Sequence, residues 1–148
     1  MNFCSRFQAD TKMSNTYLPE KPELSPTLIS DDDAVRLQYA YGAVKKSLEA
    51  YVTLAGGYVI EAQLPFPVNS DSEIVSEFRK ALQRGKTNGR KVRLTMIDHV
   101  TSVPAGVLIP VKELIKICPE EGVHKVFVDG AHGIGCVDVD MKEIGADF

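Results

Sequence analysis

With 148 residues, 44% of them hydrophobic and 25% charged, the chain is long enough to bury one core and has the make-up of an ordinary globular domain. A net charge of -3 leaves no electrostatic footprint for nucleic acid, and no apolar run is long enough to cross a membrane. Cys4, Cys118 and Cys136 are widely spaced and lack a Cys-x-x-Cys pair, which argues against a disulfide framework or a structural zinc site and for a reducing, cytoplasmic setting.

Residues 1–33 differ from the rest. Pro19, Pro22 and Pro26, scattered Ser and Thr, and the acidic run Asp31-Asp32-Asp33 cannot build an amphipathic element. This segment reads as disordered or unrelated to the remainder of the chain. It lacks the basic-then-apolar pattern of a secretory signal, and Asp10 and Glu20 weigh against a targeting peptide. The folded unit is read as 34–148.

Val35 to Ala40 reads as a short strand. Gly42 to Leu54 reads as a helix, with Val44, Leu48, Tyr51 and Val52 on one face and Lys45, Lys46 and Glu49 on a solvated one. Gly56-Gly57 stops it, and Tyr58 to Leu64 is β-rich until Pro65. Asn69-Ser70-Asp71-Ser72 opens a second helix whose buried face is Ile74, Val75, Phe78, Ala81 and Leu82. A third strand lies in Lys91 to Val100. Pro110 opens a third helix, with Val111, Leu114, Ile115 and Cys118 inward, and Pro119 is expected to end or distort it. His124 to Val128 is the fourth strand, and Met141 to Ile144 is at most one helical turn. Strands alternating with helices give an α/β fold with a parallel sheet of about four strands.

Two strands run into clusters of functional side chains. Asp98, His99, Thr101 and Ser102 follow the third, and Asp129 and His132 follow the fourth. Tyr41 follows the first. In a parallel sheet these ends share one edge, where ligands of open α/β sheets bind. The plain alternative is that Asp129 caps its turn and His132 is a satisfied polar neighbour. Metal binding by His99, His132 and Asp129 is a weaker rival, because no ligand spacing supports it. There is no Gly-x-Ser-x-Gly elbow, and the glycines at 130, 133 and 135 follow the last strand and do not spell a dinucleotide fingerprint.

Several stretches match known text: Ala40-Tyr41-Gly42-Ala43-Val44-Lys45-Lys46-Ser47, Gln63-Leu64-Pro65-Phe66-Pro67-Val68, Ile97-Asp98-His99-Val100-Thr101-Ser102, Val126 to Val139, and Met141 to Phe148. Through them, residues from about 36 to 148 resemble the class V aminotransferase-like branch of pyridoxal-phosphate enzymes, nearest the plant L-cysteine desulfhydrase group, some of whose members carry isopenicillin-N-epimerase-like labels. The resemblance implies part of a fold-type-I large domain, with strands 57–64, 35–40, 92–98 and 125–129 in that order, all parallel. It implies pyridoxal 5'-phosphate as cofactor. Asp129 then pairs with the protonated ring nitrogen, His132 and Ser102, with Thr101 beside it, lie near the ring hydroxyl, and Tyr41 stacks on the ring. His99 supports the loop. No metal is implied.

For the complete enzyme the resemblance implies a homodimer acting on cysteine, with no nucleic-acid or membrane partner. The family text continues past Phe148 to the lysine that holds the cofactor as an imine, which these residues do not include. Two readings are open. The chain is a cofactor-binding slice of a carbon-sulfur lyase, or a non-catalytic truncated paralogue or partner-binding fragment; either way it is expected to be inactive alone. Desulfurase, epimerase and aminotransferase relatives share the same cofactor contacts.

Overall fold

A sheet of four parallel strands carries the fold. The computed structural model describes residues 33–103 and 105–148; residues 1–32, nearly all of the segment read as disordered or unrelated, lie outside the described residues. β1 (Asp33–Leu37), β2 (Val59–Ala62), β3 (Val92–Asp98) and β4 (Lys125–Asp129) are ordered β2-β1-β3-β4, as expected. Helices α1 (Gly42–Leu54), α2 (Asp71–Gly85) and α3 (Val111–Glu120) make the crossovers, and α4 (Met141–Ile144) is a single turn. The chain leaves β1 to one side for β2 and returns to its other side for β3. That reversal opens a crevice at the carboxyl ends of β1 and β3.

Alternation along each strand divides its residues between two faces. Val35, Leu37, Ile97 and Val126 join Ile74, Phe78 and Leu82 of α2 and Leu114, Ile117 and Cys118 of α3 in one buried cluster. Ala34 and Met96, from the other pleat, are buried outside that cluster, as is Val52, the buried residue of α1. The main core therefore lies under α2 and α3, and the opposite face is covered more thinly.

The first strand is displaced from its expected span. It starts at Asp33, which is 3% exposed, and ends at Leu37 rather than Ala40. Arg90 donates to the Asp33 carboxylate through Nε and Nη2 at 2.7–3.0 Å, and the Tyr58 amide donates at 2.8 Å. A carboxylate held this way can be buried. The last residue of the acidic run thus belongs to the sheet. Past Leu37 the chain turns, and the Gln38 side-chain carbonyl accepts from the Leu64 amide at 3.0 Å. Helix α3 runs one residue beyond Pro119, which sits in its last turn; the Gly122 amide closes on the Pro119 carbonyl at 3.1 Å.

Gly85 ends α2 against β3. A Cβ there would lie 2.3 Å from Cγ2 of Val92, a β-branched residue that is itself 2% exposed. Gly85→Ala is expected to cost about 1–3 kcal/mol by overpacking, read as a lower urea midpoint. An unchanged midpoint would mean that α2 and β3 do not approach this closely.

Candidate functional site

Strands β3 and β4 end level with each other. Asp98 is the register partner of Asp129, and partners on neighbouring parallel strands project to the same face. The His99 amide donates to the Asp129 carbonyl at 2.9 Å, and the His99 carbonyl accepts from the Ile109 amide at 3.0 Å. Across the crevice, the Ser102 amide donates to the Tyr39 carbonyl at 3.2 Å. The Ser102 Oγ lies 3.3 Å from His132 Nε2. The loops after β1, β3 and β4 are thereby tied together at one rim.

Of the expected site residues, this network gathers Asp129, His132 and Ser102. Asp129 is half-buried, and its Oδ1 accepts from the Ala131 amide at 3.0 Å. The capping role is therefore real and occupies one oxygen. Ser102 is buried and His132 exposed. Tyr41 is the residue that precedes α1, two positions past Tyr39, with its side chain 57% exposed. Thr101 faces elsewhere. It is 2% exposed, its hydroxyl accepts from the Val107 amide at 2.8 Å and its own amide donates to the Val107 carbonyl at 2.9 Å, so it closes the 101–107 loop. His99 takes a supporting place: a Cβ on Gly133 would fall 3.1 Å from His99 Nδ1, so the glycine lets the loop after β4 pack on the imidazole. Among the described residues no three His, Cys, Asp or Glu side chains gather as a metal site.

Two residues at this rim carry more than the sequence suggested. Asp98 is 2% exposed, and its Oδ2 has no hydrogen-bond partner. Burial, followed by the charge of Asp129, pushes its pKa up to about 6, against the opposing pull of its own backbone amide, Lys45 and His132. Lys45 corrects the reading of a solvated helix face. Its ammonium donates to the Gln38 carbonyl and lies 4.0 Å from Glu61 Oε2. The first turn of α1 stands at the end of β1, so a long side chain there lays its stem along the sheet and brings its charge to the strand end. Lys46, one residue on, is exposed as expected.

A hydrogen-bonded rim of this kind suits several chemistries, and similarity narrows them. Residues 68–148 match the profile of the family described as Aminotransferase class-V. The chain belongs to the class V aminotransferase family. Over 117 residues it is 69% identical to a protein named probable L-cysteine desulfhydrase, chloroplastic, from Arabidopsis thaliana, a match covering 79% of this chain and 24% of that protein. It is 58% identical over 118 residues to an L-cysteine desulfhydrase of the same plant, covering 80% of this chain and 26% of the relative. The chain thus spans about a quarter of the length of these relatives. Among solved structures, the cysteine desulfurase CsdA of Escherichia coli superposes with a TM-score of 0.63 at 18% identity, covering 83% of this chain and 28% of that one. The cystine C-S lyase C-DES, solved with its product cysteine persulfide, gives 0.62 at 16% identity, over 80% and 30% of the two chains. These structures establish the fold alone. No helix of the described residues is long and apolar enough to cross a membrane.

Proposed function

We propose that this chain is the ring-binding slice of a pyridoxal-phosphate-dependent L-cysteine desulfhydrase, which releases sulfide, pyruvate and ammonia from cysteine. The observation that carries the reading is the Ser102–His132 contact beside Asp129 at the crevice rim, in a chain 69% identical to a named desulfhydrase over this region. The donor set fits the cofactor. Asp129 offers an anion for a protonated ring nitrogen. Ser102 and His132 offer two polar groups, 3.3 Å apart, for a ring hydroxyl. Tyr41 presents an exposed ring at the start of α1 for stacking. When bound, the cofactor supplies the sink for electrons released at the substrate α-carbon. Asp129 would keep a proton on the ring nitrogen, and His132 and Ser102 would orient the ring. Thr101 is assigned to shaping the loop that carries Ser102, since its hydroxyl is engaged by Val107. Cysteine as substrate and a homodimeric complete enzyme come from the same family reading. The compartment proposed is a reducing one, cytoplasm or chloroplast.

The test is sulfide release from L-cysteine, with and without added pyridoxal phosphate, by the protein at the full length of its native transcript. Release is expected to require the cofactor and to fall roughly tenfold or more in Asp129→Ala, the loss of one charged contact plus its electronic effect. Cysteine left intact, or release indifferent to the substitution, would sink the reading.

A further inference from the structure

Strand β3 delivers a second carboxyl to the rim, one for which the ring contacts assigned above have no use. Asp98 is register partner to Asp129, shares its face of the sheet, and is buried with one oxygen lacking any partner. Adjacent parallel strands run about 4.8 Å apart, so two ionised carboxylates at this level repel strongly. The deeper of the two is the one that retains a proton. The charged and titratable groups facing Asp98 are few: Asp129 on β4, His132 in the loop after it and Lys45 from α1. On β1, Arg36 sits opposite Met96 and is engaged by Glu49 and Glu61.

We propose that Asp98 is a positioning residue for Asp129, the proton-holding half of a carboxyl pair whose charge backs Asp129 in holding a cationic group at the crevice. Near and below the Asp98 transition, a cation arriving beside Asp129 favours loss of the Asp98 proton. The proton leaves to solvent, and the pair then faces the cation with two negative charges in place of one. Below the Asp98 transition the pair carries one charge, and the cation is held more weakly. The identity of that cation as a protonated pyridine ring rests on the function proposed above; the pair itself does not.

The experiment follows the aspartate side-chain carboxyls by carbon-13 NMR through a pH titration of the 148-residue chain. Wild type is expected to show one carboxyl titrating near pH 6, and Asp98→Asn, which keeps the shape of the neutral acid, to remove that transition. Asp129→Asn is expected to move the Asp98 midpoint down, because the neighbouring charge is gone, and Lys45→Met to move it up. An Asp98 carboxyl electrostatically isolated from these groups would respond to neither neighbour. An Asp98 midpoint unmoved in Asp129→Asn overturns the proposal even if Asp98→Asn fails to fold, and so does the absence of any carboxyl titrating above pH 5. Pyridoxal phosphate binding, read by absorbance, separates the two claims. Its dissociation constant in Asp98→Asn should match wild type at pH 5 and exceed it severalfold at pH 8. Binding equally affected at both pH values overturns the role given to Asp98. Absence of binding by wild type counts against the cofactor reading, while the NMR midpoints still decide the pair.

Discussion

Asp98→Asn is expected to stabilise the chain at pH 7 by on the order of 3 kcal/mol and to leave it unchanged below about pH 4. The sign comes from proton linkage. The Asp98 pKa rises from 3.8 to about 6 on folding, so between those values the native state holds a proton that the unfolded chain has lost. Stability contributed by the neutral acid is fully present below pH 3.8, falls as pH rises through the window, and is gone above about 6. At neutral pH the fold therefore carries a buried charge at a cost. Asparagine has the shape of the neutral acid and never ionises, so it removes that cost where it exists and nothing where it does not. Urea unfolding of both proteins at a series of pH values makes the measurement. A difference that stays constant across pH, or a loss of stability at pH 7, would contradict the burial of Asp98 beside Asp129.

Phe78→Ala is expected to cost about 3–5 kcal/mol. Phe78 is fully buried and belongs to the cluster that α2 and α3 build against the sheet. Removing the ring loses its transfer free energy and leaves a cavity that Ile74, Leu82 and Leu114, themselves no more than 1% exposed, have little freedom to fill. Against a typical domain stability of about 5–15 kcal/mol, such a loss removes roughly a fifth of the total at the least. The urea midpoint should fall with the slope unchanged. A cost under about 1 kcal/mol would show that this cluster is not the principal core.

The parts of the fold that are legible in the sequence are those governed by local periodicity. The three-and-four spacing of Ile74, Phe78, Ala81 and Leu82 marks the buried face of α2, and the apolar runs before Asp98 and Asp129 mark β3 and β4. The displaced start of β1 has a long-range cause. Nothing near Asp33 announces that Arg90, 57 residues away, will neutralise it inside the sheet. Lys45 escapes a local reading for a related reason, since helical spacing puts it outside and only its position over the end of β1 turns it inward. Thr101 is adjacent to Ser102, yet sequence adjacency says nothing of which hydroxyl the Val107 amide will claim. Asp98 is visible in the sequence as a strand-end carboxylate. Its depth is not, because depth depends on the register that sets it against Asp129.

The three bonds that tie the rim, from Ser102 to Tyr39, from His99 to Asp129 and from Ser102 to His132, also bear on what recognition costs. Two of them join backbone to backbone, so the ends of β3 and β4 and the loops after β1 and β3 are tied to one another before anything arrives. A ligand here meets groups already held in place, and little of its contact energy goes into freezing them. Discrimination at such a rim falls on shape and charge: a molecule that does not match the spacing fixed by the sheet cannot coax the loops into accommodating it.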